Sequence, residues 1–252
     1  MGEAQPPLLE RRLAAVRDRI AAACREAGRD PAGVRLLPVS KTVSVEVMRD
    51  AYAAGLREFG ENKVQEADGK SRALADLDIG WSIIGHLQTN KAKLVARFAR
   101  EFQALDSLRV AEALDRRLQA LGRGLDVMVQ VNSSGEASKF GLPPEEVAAF
   151  ARSLPAYASL NVTGLMTLAV FSADQARVRA CFRTMHSLRD RLRQEAPDSL
   201  SFEALSMGMS GDFELAIAEG ATVVRVGQAI FGARATPDSV YWPDSFQQPG
   251  RG

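Results

Sequence analysis

The stretch VRLLPVSKTVSVEVMRDAYAAG, residues 34–55, contains a strand pattern followed directly by a helix pattern. The apolar run at residues 34–39 has the length and composition of a buried strand, and residues 43–55 favour a helix. Lys41 falls between them, at the carboxyl end of the predicted strand. A lysine in that position reaches water, finds a charged partner, or loses its proton and reacts.

The alternation of strand and helix patterns continues through the rest of the chain. Helical runs such as 107–122 and 174–196 separate most of the strand candidates, and an amphipathic helix at about 8–27 precedes the first of them. The strand candidates are residues 34–41, 57–62, 78–86, 101–106, 125–132, 161–169, 202–208 and 222–228.

Eight strands that alternate with helices predict an α/β fold, a single (β/α)8 TIM barrel of about 230 residues. A doubly wound open sheet is the rival fold, but no GxGxxG sequence follows the first strand to support it. We expect residues 1–30 to form an extra N-terminal helix packed on a barrel of residues 31–235. Residues 236–252 would then be a C-terminal tail, too short for a second domain.

The overall composition is that of an ordinary globular protein, with 46% hydrophobic and 25% charged residues. A formal net charge of +1 gives no general attraction to nucleic acid or to an anionic membrane. No apolar run approaches the ~18 residues of a membrane span, and the first residues lack a secretory apolar core. Cys24 and Cys181 lie far apart in helical runs, which predicts no disulfide framework and a cytoplasmic location.

In a (β/α)8 barrel the active site lies at the carboxyl ends of the strands. Several of the predicted strands end in polar residues, and parallel strands bring these ends to one rim of the barrel. We therefore expect the functional site to be built from this set. Its members are Lys41, Asn62, His86, Asn132, Met166, Thr167, Ser206, Met207, Ser210 and residues 225–228.

Lys41 is the first candidate for chemistry in this site. Burial at a barrel mouth disfavours the charged form of a lysine, and a neutral amine attacks an aldehyde to form a Schiff base. The alternative is a lysine that extends to solvent or pairs with a nearby carboxylate such as Glu61.

Two loops have the residue types of a phosphate site. In residues 205–220, a turn that contains glycine and serine leads into a helix, with Ser210 as its predicted N-cap. In residues 223–232, Arg225 stands within an apolar strand and Gly227 allows close backbone approach. Barrels often bind phosphate with the loops that follow strands seven and eight, which are these two loops.

Each of these loops also has an ordinary structural explanation. Ser210 can cap a helix without any ligand, and Arg225 can pair with a barrel carboxylate such as Glu203. Taken together with Lys41, the two loops fit a phosphorylated aldehyde, either pyridoxal 5′-phosphate or a sugar phosphate.

The two histidines and the basic run at residues 90–93 give weaker signals. His86 ends a strand and either contacts a ligand or makes a hydrogen bond at the rim, whereas His186 lies in a long helix and is structural or exposed. The basic run is a solvated helix face, with an anion or partner surface as the alternative. With two histidines and two distant cysteines, we expect no metal site.

Seven short motifs occur in order from the first predicted strand to the eighth. They are PVSKT (38–42), FGENKVQE (59–66), IGHLQTNK (84–91), KFGL (139–142), GLMT (164–167), LSMGMSGDFELAI (205–217) and VRVGQAIFG (224–232). In these motifs the chain resembles the pyridoxal phosphate homeostasis proteins, the YggS/PROSC family related to the N-terminal barrel of alanine racemase. The resemblance implies a single-domain barrel, usually monomeric, that binds pyridoxal 5′-phosphate as a Schiff base.

The resemblance also implies a role for each matching residue. Lys41 would carry the Schiff base, and Arg225 would face the pyridine nitrogen of the cofactor. The other implied contacts are Asn62 and Met166 around the ring, and Ser210, Ser206 or the Met207 backbone, Gly227 and Gln228 at the phosphate. From its position at the rim, we add His86 to the predicted cofactor-binding residues. The chain departs from the family at Lys63, where a tyrosine is common, and at Ser82, where a histidine is common. These departures affect contacts at the rim only.

An arginine that faces the pyridine nitrogen donates a hydrogen bond and cannot accept one, so that nitrogen stays unprotonated. The ring is then a weak electron sink. A racemase of this type also needs a tyrosine base, and Tyr52, Tyr157 and Tyr241 are not obvious candidates. The sequence therefore predicts a carrier or regulator in intracellular pyridoxal 5′-phosphate homeostasis, with little or no catalysis of its own. It would release the aldehyde to apo-enzymes or to free amino acids.

Two kinds of enzyme remain as alternatives. One is a pyridoxal 5′-phosphate-dependent amino-acid racemase or related lyase, with a base that the sequence does not identify. The other is a Schiff-base aldolase acting on a sugar phosphate, which would use the same lysine and loops without a bound cofactor.

Overall fold

The computed structural model describes residues 7–232, which form an eight-stranded parallel sheet with helices between the strands. The strands are β1 (Arg35–Pro38), β2 (Glu58–Glu61), β3 (Gly80–Ile83), β4 (Glu101–Leu105), β5 (Leu125–Val131), β6 (Leu160–Thr167), β7 (Ala204–Ser206) and β8 (Val223–Val226). Their order in the sheet is β1-β8-β7-β6-β5-β4-β3-β2. The predicted (β/α)8 TIM barrel is confirmed.

Helices surround the barrel and connect most of its consecutive strands. Ser107 begins one of them by accepting the N–H of Val110, and Gly122 ends it with φ 61, a conformation that glycine adopts without strain. The helices are α1 (Leu8–Glu26), α2 (Val45–Ala53), α3 (Val64–Ala73), α4 (Ala92–Phe98), α5 (Leu108–Leu121), α6 (Val147–Ser153), α7 (Gln175–Glu195), α8 (Phe213–Ala218) and α9 (Gln228–Phe231).

Several strands are shorter than their predicted runs, because buried apolar residues continue past the ends of the hydrogen-bonded ladder. Ile79 and Phe202 are buried although they precede β3 and β7. The prediction that Lys41 is the last residue of a strand is also wrong, because the apolar run continues past the end of the strand. β1 ends at Pro38, and Lys41 lies in the turn that leads to α2.

β1 and β2 stand at the two ends of the sheet order. An isolated parallel bridge joins Val39 to Gly60, and the N–H of Ser40 donates to the Gly60 carbonyl at 3.0 Å. We call this junction, formed by Val39, Ser40 and Gly60, the seam. Lys41 follows the seam directly, so the wall of the barrel closes next to this lysine.

The helix that precedes the barrel packs against its last two helices, since α1 contacts α8 and α9. Val16 and Ile20 of α1 are buried in the core. The division of the chain into residues 1–30, 31–235 and 236–252 stays a prediction, and the predicted tail lies outside the described residues. No helix in the described part of the chain has the length and apolar character required to cross a membrane.

Candidate functional site

The carboxyl ends of the strands meet at one rim of the barrel, because neighbouring strands are parallel. The register places Leu37 of β1 opposite Arg225 of β8, and Met166 of β6 opposite Ser206 of β7. The sequence-predicted residues at the carboxyl ends or just beyond them are Lys41, Asn62, His86, Asn132, Met166, Thr167, Ser206, Met207, Ser210, Gly227 and Gln228.

Lys41 is half-buried in the turn between β1 and α2. The next residue, Thr42, has φ 66 and is the only non-glycine residue with a positive φ among those that the structure describes. This conformation strains a β-branched residue by about 1–3 kcal/mol. The Thr42 N–H donates to Glu66 Oε1 at 2.7 Å, which helps to hold the strained turn in place.

A path of hydrogen bonds crosses the interior of the barrel from Arg225 to Glu101. Arg225 donates from Nη1 to Ser206 Oγ (2.8 Å) and from Nη2 to the Thr167 carbonyl (2.7 Å). Ser206 donates to Gln103 Oε1 (2.6 Å), and Gln103 Nε2 donates to Glu101 Oε2 (2.8 Å). Arginine only donates and a carboxylate only accepts, so the two ends fix the direction of every bond. The predicted phosphate contact of Ser206 stays a prediction, and its hydroxyl already bonds two buried groups.

Arg225 is a buried cation, only 3% exposed. Burial lowers the pKa of Arg225 to about 10, while the negative charges of Asp212 and Glu101 act to raise it. The side chain therefore remains a cation at neutral pH. The alternative partner suggested by the sequence, Glu203, instead forms an ion pair with Arg193 at 3.0 Å. Arg225 thus faces neutral oxygen atoms rather than a directly bonded carboxylate.

The loop after β7 closes on Asp212. Gly208 has φ 94, and the Met209 N–H donates to Asp212 Oδ1 at 2.6 Å. Asp212 is the N-cap residue, and α8 begins only at Phe213. The prediction that Ser210 is the N-cap is therefore wrong, because the loop closes on Asp212 before the helix starts. A phosphate contact by Ser210 stays a prediction.

His86 forms part of a polar and aromatic cluster at the rim. Its ring stacks on Phe140, with centroids 4.1 Å apart and an angle of 11° between the ring planes. Its Nδ1 lies 3.5 Å from Asp106 Oδ2. A bridge between Val131 and Leu142 holds the loop that contains Phe140 close to β5. His86 therefore has a rim partner, and the predicted contact with a ligand stays a prediction.

Asp106→Asn should flatten the fall of stability with rising pH above about 4, the usual pKa of an aspartate in an unfolded chain. Burial raises the pKa of Asp106, although His86 beside it acts to lower it. Because the pKa of Asp106 is higher in the folded state, the protonated carboxyl stabilises the folded protein. This contribution is complete below the pKa of the unfolded chain and is lost as the pH rises through the folded-state pKa. Urea unfolding at several pH values measures the slope. Asp18→Asn, on the exposed face of α1, is the control, and equal slopes in wild type and Asp106→Asn would contradict the prediction.

Several residues of this region were missed or misjudged from the sequence. Glu61, Glu66 and Lys70 surround the turn that contains Lys41, and Gln103 lies inside the barrel. The spacing of Glu66 and Lys70, four residues apart in α3, was a usable signal for an ion pair. The contact of Gln103 with a residue 103 positions away had no local signal.

A family model, the N-terminal domain of alanine racemase, matches residues 12–235. A pyridoxal phosphate homeostasis protein of Pseudomonas aeruginosa is 45% identical over 223 residues, covering 88% of this chain and 94% of that protein. The protein of the same name from Aquifex aeolicus is 42% identical over 226 residues, covering 88% and 97%.

The structure of PipY from Synechococcus elongatus with pyridoxal phosphate bound has a TM-score of 0.79 to this chain and 37% sequence identity. The match covers 89% of this chain and all of that one. The fold and the rim therefore define a barrel of the alanine racemase N-terminal type. Within this class, the chain belongs to the family of the pyridoxal phosphate homeostasis proteins.

Proposed function

We propose that this protein binds pyridoxal 5′-phosphate through Lys41 and serves intracellular pyridoxal 5′-phosphate homeostasis as a carrier or regulator. The observation that carries the proposal is the position of Lys41, on a constrained turn at the same rim as the loops after β7 and β8. The names of the relatives and the bound pyridoxal phosphate of PipY support it.

The residues at this rim suit the chemistry of the cofactor. Lys41 has an amine for an aldehyde, and Arg225 is a fixed cation that can only donate hydrogen bonds. Gly208 and Gly227 shape the loops after β7 and β8, which bind phosphate in many barrels. These groups therefore suit a phosphorylated aldehyde. When bound, pyridoxal 5′-phosphate supplies an aldehyde that condenses with an amine, with loss of water.

The protein's own residues would hold this aldehyde rather than activate it. Asn62 and Met166 would position the ring, and Arg225 would face its nitrogen and keep it unprotonated. Because Arg225 is anchored to Ser206 and Thr167, its guanidinium cannot easily turn away. Such a site favours storage and release of the cofactor over catalysis on it.

The finer parts of the proposal rest on the sequence motifs. We expect a monomer in the cytoplasm that releases the cofactor to apo-enzymes or to free amino acids. Ser210, the Met207 backbone, Gly227 and Gln228 would bind its phosphate. The racemase alternative has only the fold in its favour. Turnover of an amino acid by the pure protein would support that alternative and count against a carrier.

The test is the visible absorption spectrum of the purified protein before and after borohydride, followed by mass analysis of the labelled peptide. We expect a yellow protein in which borohydride fixes one cofactor-sized mass on Lys41. Lys41→Ala should lose the adduct, whereas Lys93→Ala, on the exposed face of α4, should keep it. A colourless wild type that takes up no added pyridoxal 5′-phosphate would overturn the proposal.

A further inference from the structure

Lys70 of α3 is a buried lysine whose ammonium group has three acceptors. These are the Ser40 carbonyl at 2.7 Å, Glu61 Oε1 at 2.8 Å and Glu66 Oε1 at 2.6 Å. An ammonium group has three hydrogens, so its donor capacity is used completely. Lys70 therefore joins the end of β2, its own helix and the backbone next to Lys41.

The residues on both sides of Lys41 are bonded to this cluster. Ser40 donates from Oγ to Glu61 Oε1 at 2.7 Å, in addition to its carbonyl bond with Lys70. Thr42 donates its N–H to Glu66 Oε1 at 2.7 Å. The backbone that carries Lys41 is thus fixed before and after the lysine by side chains from β2 and α3.

Two features of this arrangement reduce stability. Glu61 is fully buried, and within residues 7–232 its Oε2 has no hydrogen-bond partner. Burial raises the pKa of Glu61, against the influence of Lys70 and Ser40. Thr42 holds a backbone conformation that L-residues rarely adopt. Strained backbone of this kind clusters at functional sites, where the surrounding structure holds it in place.

We propose that Glu61, Glu66 and Lys70 act as a clamp that holds residues 40–42 in the conformation that directs the Lys41 amine toward the cofactor aldehyde. They are positioning residues, since they act through the backbone of Ser40 and Thr42. The proposal deepens the proposed function and rests on Lys41 as the point of attachment.

The clamp predicts different results for two substitutions of the exposed residue Thr42. Thr42→Gly keeps the N–H and accepts φ 66 without strain, so the dissociation constant for pyridoxal 5′-phosphate should stay within about threefold of wild type. Thr42→Pro fixes φ near −65° and removes the N–H, so the dissociation constant should rise at least about tenfold. Absorbance titration measures both, with yield of the borohydride adduct on Lys41 as a second readout.

A second pair of variants tests the partner of Thr42. Glu66→Gln keeps an oxygen acceptor and should retain most of the affinity, whereas Glu66→Ala should lose at least about tenfold. The matched control is Glu195→Ala, which removes an exposed (i, i+4) ion pair with Arg191 on α7 and should leave the affinity unchanged. Thermal unfolding of each variant shows whether a loss of affinity merely follows a loss of fold.

Hydrogen exchange of the Thr42 amide in the cofactor-free protein gives a readout that does not need the ligand. Protection in wild type that is lost in Glu66→Ala supports the clamp. Equal affinity of wild type, Thr42→Pro and Glu66→Ala would overturn it. If the wild-type protein takes up no pyridoxal 5′-phosphate, the proposed function is wrong. The clamp is then judged by hydrogen exchange alone, and an unprotected Thr42 amide would overturn it.

Discussion

Gly164→Ala should lower the free energy of unfolding by about 3 kcal/mol or more, or prevent the barrel from folding. Gly164 of β6 pairs with Ala204 of β7. A Cβ at position 164 would lie 2.1 Å from the Ala204 carbonyl oxygen and 2.7 Å from its carbon. Both atoms are backbone, so no side-chain rotation relieves the overlap, and the two strands must separate.

Gly69→Ala is the matched control and should have the opposite sign. Gly69 is exposed in α3, and apart from its chain neighbours and the adjacent helix backbone, no described residue lies within 4 Å of an added Cβ. Alanine in a helix interior should therefore raise the free energy of unfolding by about 0.5–1 kcal/mol. Urea unfolding measures both variants. A Gly164→Ala protein with wild-type stability would show that β6 and β7 are not paired as described.

Gln103→Leu should lower the free energy of unfolding by about 2–3 kcal/mol, because it interrupts the hydrogen-bond path inside the barrel. Gln103 is fully buried and accepts from Ser206 while it donates to Glu101. Leucine has a similar size but no polar atoms, so the Ser206 hydroxyl loses its acceptor. Glu101 keeps the hydrogen bond from Ser82 at 2.7 Å, which limits the loss.

Gln119→Leu provides the comparison for this second substitution. Gln119 also donates to a carboxylate, Asp115 Oδ2 at 2.7 Å, but its side chain lies on the exposed surface of α5. Its replacement should change the stability by less than about 0.5 kcal/mol. If the two variants unfold at the same urea concentration, the path from Arg225 to Glu101 contributes nothing. A shifted absorption band of bound cofactor in Gln103→Leu would further link this path to the pyridine ring.

The sequence was sufficient for the fold because each strand and helix has its own local pattern. Eight apolar runs separated by helical periodicity define the barrel, and the rim residues follow because parallel strands share one end. The family motifs then assigned roles to these residues. The exact limits of the strands were beyond prediction, since burial continues past the ladder at residues such as Ile79 and Phe202.

The contacts that position the site depend on three-dimensional proximity. Ser206 and Gln103 are separated by 103 positions, and no periodicity links them. The αL conformation of Thr42 was equally hidden, because threonine does not favour it. The start of α8 was misplaced because Ser210 and Asp212 are both good capping residues, and only the closure of the loop selects Asp212.

The seam is the link that closes the barrel, because β1 and β2, the two ends of the sheet order, are joined there by an isolated bridge. A ligand attached to Lys41 on one side of the link and touching Asn62 on the other would tie the two ends together. Binding to the folded state alone increases stability with ligand concentration. The stability of the folded protein would thereby increase with the supply of the cofactor.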